Sequence, residues 1–449
     1  MRRLAILGAT ALVALFYASR IPDPLGNFVA FLWPVAAAFM LCMHAFRTAR
    51  EDADTARLER RGIVLAMAIG AAMRVAFIAT PPSLSSDVYR YVWDARAQAA
   101  GVNPFLYPPN APEVRDLYDV NATYINHQEI STIYPPVSQA AFRVAEAIAP
   151  GPTGMKILFG FIDLAIPLLA LAALRPPPGA RLPVVLLLAW HPLSVIETAG
   201  SGHNDPLGIA LLLGAVACAR AGFAMRAGAL LGAAAAAKTM PILLAPLFAI
   251  ALGRRGAGRF AAALAAVIAF AYFPFADAGA ALFRGLTAYS LDLEFNAGLY
   301  AIVRALVRAS ASPDSAIALA PRLLPLLPAL AAPLLWRLAR GDLARAAFWT
   351  LGALVLLSSQ VHPWYLLWLL PFLAVRPSRA WLLFTFLIFI SYETHALHRA
   401  SGAWSESTGI RAIQYAPLFI LLAIEAAASI ARARRGAAPV RDPAAGEAR

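Results

Sequence analysis

The sequence predicts an all-α polytopic membrane protein, with about fourteen transmembrane or half-spanning helices and a structured first long extracytoplasmic loop. Three observations predict it. Of 449 residues, 60% are hydrophobic and only 14% charged, whereas a soluble domain holds about 25% charged and 45–50% apolar residues. The apolar residues run in stretches suited to crossing roughly 30 Å of hydrocarbon, and the mean hydropathy is +0.65. Arginines cluster at the ends of these runs, in short loops.

The expected spans are 4–19, 26–46, 62–80, 155–174, 182–199, 205–221, 227–238, 241–252, 259–276, 315–338, 345–359, 364–375, 380–396 and 411–431. The first has basic residues and then an apolar core, like a signal peptide. No small-residue cleavage site follows it, and Ile21-Pro22-Asp23 leads into another apolar run, so it reads as a retained helix. Several spans are short. The pair flanking Lys238 reads as a broken or re-entrant hairpin, tolerated at depth where protein buries it or it lines a cavity. The expected organisation is an N-terminal hairpin and loop (1–61), a membrane core (62–376) with an outer loop (81–154), C-terminal helices (377–431) and a disordered tail (432–449).

The net charge of +13 raises nucleic acid as a partner, but its distribution argues against it. Basic residues recur at every second loop, which places those loops and both termini in the cytoplasm of a multi-pass inner (plasma) membrane protein. Asp87, Asp94, His127, Glu129, His203-Asn204-Asp205, Asn296 and His362 then all fall outside. A site there cannot draw on cytoplasmic ATP or sugar nucleotides, and no P-loop or GxGxxG follows a strand. The two cysteines, Cys42 and Cys218, lie inside apolar runs and suggest neither a disulfide framework nor a zinc site.

Residues 81–137 form the longest non-membrane segment and are rich in Tyr, Trp and Phe, which argues against disorder. Ser85 or Ser86 can cap a helix beginning near Asp87. On it Asp87, Arg90 or Tyr91, and Asp94 share one face. An aspartate where the chain leaves the membrane suits a general base, tuned by desolvation and Arg90; helix capping and pairing with arginine is the structural alternative. Pro135-Pro136 forces an extended entry to an amphipathic segment, 137–149, expected at the interface.

The motifs Asp87-Val88-Tyr89-Arg90-Tyr91-Val92-Trp93-Asp94-Ala95-Arg96, Gly101-Val102-Asn103-Pro104 and Tyr134-Pro135-Pro136 come first in the chain. Gly202-His203-Asn204-Asp205, Lys238-Thr239-Met240-Pro241 and His362-Pro363-Trp364-Tyr365-Leu366-Leu367-Trp368 follow. In that order, over roughly 62–376, the set resembles the GT-C superfamily of membrane glycosyltransferases, especially its bacterial mannosyltransferase-like branch. The resemblance implies inverting transfer of a sugar, mannose or another hexose, from a polyprenyl-phosphate donor. The acceptor would be an extracytoplasmic glycan, lipid or protein, and Asp87 the catalytic aspartate. Two helices over 4–46 depart from members that begin with the equivalent of 62–80.

A polyprenyl phosphate leaves without a general acid, so the site must stabilise phosphate charge with fixed groups. Lys238, one of two lysines, fits that role; a charge within the membrane costs about 2.5–3.5 kcal/mol on insertion scales unless matched. A snorkelling lysine is the alternative. His203, Asn204 and Asp205 either cap a helix, with Pro206 at its first position, or bind sugar hydroxyls. Arg90 and His362 are expected as phosphate helpers, with Tyr91, Asp94, Glu129 and Tyr134 completing the substrate pocket. Trp364, Tyr365 and Trp368 fit an aromatic interfacial belt better than a site. His127 and Glu129 are weak evidence for a metal, so neither metal nor cofactor is expected. A secondary transporter is the main competing reading, and a polysaccharide-export subunit a third; the chain shows no internal repeat to match the break at Lys238.

Overall fold

The computed structural model describes residues 1–51, 55–82, 84–310 and 323–436. The start of the expected 315–338 span, most of the expected tail and the side chain of Asp292 lie outside that description. Among the described residues the fold is helical, with no strands; a lone bridge joins Phe295 to Gln360. Seven helices are long and apolar enough to cross a membrane, and one bent helix pair makes an eighth.

The N-terminal hairpin is α1 (Arg2–Ser19) and α2 (Phe28–Glu51), and it packs on α3 (Thr55–Ile78) and on α7 (Arg181–Trp190). It belongs to the bundle core: Gly8 of α1 meets Ile69 and Trp190 so closely that a Cβ would collide with both. Small residues let membrane helices approach in this way. α3 is tied to α6 (Pro152–Leu174) by a buried ion pair, Arg74 to Asp163 at 2.5 Å. Arg74 also donates to the carbonyls of Gly70 and Ala189 and to Ser194 Oγ. The two charges are thereby matched within the bundle, as intramembrane charges must be.

The expected span 182–199 is bent. α7 ends at Trp190, His191 is extended, and α8 (Pro192–Val195) continues through a π-turn at Ile196–Gly200, with 45° between the halves. Pro192 explains the break, because it supplies no N–H and pushes the residue before it out of the helical region. His191 Nδ1 accepts the N–H of Leu193 at 3.2 Å, so the broken ladder is partly satisfied.

α9 (Asp205–Arg220) and α10 (Ala224–Ala237) follow. Lys238 is extended, and a 3₁₀ turn over Met240–Leu244 feeds α11 (Ala245–Tyr272). α11 is itself interrupted at Gly253, whose φ of 66° suits glycine. The chain therefore turns at Lys238 and turns back at Gly253, where the sequence places the ends of 227–238 and 241–252. Gly228 and Gly232 of α10 lie against the carbonyls of Phe260 and Leu264, which seats α10 on the second half of α11.

The segment expected as the outer loop is built around α4 (Asp87–Ala99) and α5 (Pro136–Ile148). Tyr91 of α4 stacks on Phe142 of α5 at 4.5 Å, and both meet Phe159 of α6 edge-on. Those rings fasten the loop to the bundle. The other lysine, Lys156, is buried and donates to the carbonyls of Phe77 and Thr80, satisfying the end of α3.

Candidate active site

A cleft of about 410 Å³ opens where the start of α4, the corner at Lys238 and the segment 358–365 meet. Its polar groups are few: Asp87, Tyr134, Lys238, Thr239, Tyr289, Ser358, Ser359, Gln360 and Tyr365. Most of the remaining wall is apolar, including Ile133, Met240, Leu243, Leu286 and Leu354.

Asp87 is the first residue of α4, half-buried, with its N–H bonded to Ser85 Oγ at 3.3 Å. Its carboxylate accepts from Tyr134 Oη at 3.3 Å and from Asn126 Nδ2 at 3.4 Å. Burial raises its pKa above the ordinary carboxylate value; Lys238 and the two hydrogen bonds pull the other way, less strongly. A carboxylate so placed is a better proton acceptor near neutral pH than a free one.

Lys238 is set by two helix ends. Its Nζ pairs with Asp205 Oδ2 at 3.0 Å and lies 3.5 Å from Asn204 Oδ1. Asp205 Oδ1 in turn accepts from Trp368 Nε1 at 2.7 Å. Ser138 of α5 locks the corner: its Oγ donates to the carbonyl of Ala237 at 2.7 Å and accepts from Asn204 Nδ2 at 2.8 Å. Asn204 stands at the cap position of α9 without making a side-chain cap. The side chains of Asn204 and Asp205 are thus directed at the lysine and its supports, and capping does not account for them.

His203 is fully buried, 3.3 Å from Glu197 Oε2, and stacks on Trp364 at 3.8 Å. Trp364 stacks on His362 at 4.3 Å, and His362 on Phe295 at 4.7 Å. This four-ring pile forms one side of the site, with Trp364 facing the cleft. His362 Nε2 lies 3.2 Å from Tyr289 Oη. Burial holds its pKa well below the usual histidine range.

Three expected pocket residues stand behind the wall. Arg90 pairs with Asp94 at 2.9 Å and donates to the carbonyl of Ile130, and Asp94 accepts from Thr132 and Gln139. Tyr91 is buried in the ring cluster. They brace α4 rather than line the cleft. Glu129 is exposed and pairs with His127 at 3.3 Å. The interfacial-belt reading of 364–368 is corrected: Trp364 and Trp368 are buried, one lining the cleft and the other holding Asp205. Sequence reasoning missed Tyr289 and Gln360 as well. Gln360 Nε2 bonds the carbonyl of Tyr289 at 2.8 Å, a pairing 71 residues apart in sequence that no local pattern signals.

None of the curated proteins compared with the chain matches it. A family model does, that of the N-terminal domain of alpha-(1->6)-mannopyranosyltransferase, over residues 9–254. The match begins within α1, so the N-terminal hairpin is part of the matched domain, and it takes in Asp87, Tyr134, His203, Asn204, Asp205 and Lys238. It covers more than half of the chain, and on that ground this helical membrane protein belongs to the MptA_B family of alpha-(1->6)-mannopyranosyltransferases.

Proposed function

We propose that this mannosyltransferase takes its sugar from a polyprenyl phosphate and passes it, with inversion, to a glycan or lipid acceptor outside the cytoplasm. One observation carries the reading: Asp87 and Lys238 share a cleft whose other walls are mainly apolar. A sugar nucleotide would set its soluble, charged moiety against the side chains of Met240, Leu243 and Leu354. An isoprenoid chain is the complement of such a wall.

The acceptor hydroxyl oxygen attacks the anomeric carbon of the sugar and loses its proton to the Asp87 carboxylate. The bond from that carbon to the phosphate oxygen breaks, and its electron pair leaves with polyprenyl phosphate. Lys238 offsets the charge that gathers on the phosphate. Asp205, Asn204 and Trp368 hold the ammonium in place. Tyr134 and Asn126 orient the base, and the rings of Trp364 and Tyr365 supply faces for the sugar.

The test is transfer of radiolabelled mannose from polyprenyl-phosphate mannose by membranes holding matched amounts of wild type or Asp87→Asn. Transfer by the wild type, lowered about 10²–10⁴-fold in the variant, is the expected result. Equal transfer by the two proteins would remove Asp87 as the base, and absence of transfer by the wild type would remove the proposed donor.

A further inference from the structure

α9 begins at Asp205, beside the cleft, and ends at Arg220, which opens on a second cavity of about 600 Å³. Three other segments end there, the loop after α6, the start of the helix Leu343–Leu357 and the turn after Leu370–Val375, and the middle of the helix Thr408–Gly436 passes by with Leu422 and Glu425. They bring Arg175, Arg220, Arg345 and Arg376 to one cavity, against two carboxylates.

Both carboxylates are engaged. Asp342 pairs with Arg376 and accepts the N–H of Arg345 at 3.0 Å. Glu425 caps the start of the helix Arg379–Leu387, accepting from Ser378 Oγ at 2.7 Å and from the Arg379 N–H at 2.6 Å. The cavity therefore keeps a net positive charge. Its remaining wall is aromatic and apolar, with Phe348, Trp349, Phe372 and Trp381.

We propose that this cavity holds the phosphate headgroup of an anionic phospholipid, its acyl chains descending past the aromatic wall. Planar guanidinium groups match phosphate oxygens in pairs, and basic pockets between membrane helices bind such headgroups. A free phosphate would satisfy the arginines and leave the half-buried rings of Phe348 and Trp349 in water, so the lipid is the better complement. The site is independent of the sugar donor and stands at the end of the bundle away from the cleft.

The full-length protein in a nonionic detergent is titrated with phosphatidylglycerol and, separately, with phosphatidylcholine, and bound lipid is counted by native mass spectrometry. Wild type is expected to hold phosphatidylglycerol about tenfold more tightly than phosphatidylcholine. Arg175→Gln/Arg376→Gln should lose about thirtyfold of that affinity, and Arg175→Gln alone, at an exposed side chain, about fivefold. Arg254→Gln/Arg255→Gln removes the same charge at the Gly253 turn and should bind as wild type does. Equal losses in both double variants, no preference between the lipids, or displacement of bound lipid by millimolar inorganic phosphate would each overturn the assignment. No sugar transfer is measured, so this result stands apart from the test of the donor.

Discussion

Asp87 receives two opposing influences. Desolvation lifts its pKa, while Lys238, Asn126 and Tyr134 lower it by favouring the charged form. As a base it works only when ionised, so transfer should fall as pH drops through the raised pKa. The acid limb of the pH–rate profile is expected above the ordinary carboxylate range. Tyr134→Phe removes a hydrogen bond to the ionised form and leaves the ring contacts with Tyr91 and Phe142 in place. Asp87 should then titrate higher still. The expected outcome is an acid limb displaced to higher pH with a similar plateau, read from kcat across pH 4–9, roughly the range a shifted carboxylate spans. A lowered plateau with an unmoved limb would mean that Tyr134 acts on the substrate instead. The sequence shows Asp87 because the features that mark it are local: a serine-capped helix start at the exit from a membrane span. The partners that tune it are not local. Tyr134 is 47 residues away and Lys238 belongs to another helix hairpin.

The unit at the next scale is the join between the start of α9 and the end of α10. Asp205 is buried and shared between Lys238 and Trp368, so the ion pair holds two helix ends and a downstream turn together. Lys238→Met should do two separable things. It strips the proposed phosphate site of its cation, with an expected cost of about 10²–10³-fold in transfer by comparison with the loss of one fixed donor at an oxyanion site. It also strands Asp205, and breaking a buried pair on one side costs about 3–5 kcal/mol. Lys238→Met/Asp205→Asn removes the stranded charge. Thermal melting in detergent should recover in the double variant, while transfer should not. Recovery of both would leave Lys238 as a structural tie only. The elements themselves were readable where glycine or proline punctuates an apolar run, as at Gly253 and at the corner after Lys238. The bend at Pro192 was not, because 182–199 is apolar enough overall to read as one span despite His191, Ser194 and Glu197, and a proline inside a membrane helix can be tolerated or can break it. The Arg74–Asp163 tie was invisible for a different reason: its members lie 89 residues apart on separate spans.

At the scale of the whole molecule, chemistry and positive charge are separated by the length of the helices. α9 carries Asp205 at one end and Arg220 at the other, and its 16 residues span about 24 Å at 1.5 Å per residue. α10 and the first half of α11 meet at Lys238, and their far ends carry Arg226 and Arg254-Arg255 respectively. The same polarity thus appears in consecutive helices that share no sequence pattern, which makes orientation a property of the bundle rather than of one loop. Arginine-rich ends stay cytoplasmic during insertion, so the cleft with Asp87 should open on the opposite side. Cysteine labelling in intact cells tests this directly. Thr123→Cys lies on the exposed part of the outer loop, and Gly258→Cys lies beside the arginine turn with open space around it. Wild type, whose Cys42 is buried and Cys218 partly so, serves as the blank. A membrane-impermeant maleimide should modify Thr123→Cys in whole cells and reach Gly258→Cys only after the membrane is opened. The reverse pattern would turn the bundle over. Asp87 would then face the cytoplasm, where sugar nucleotides are available, and only the apolar wall of the cleft would still favour a lipid-linked donor.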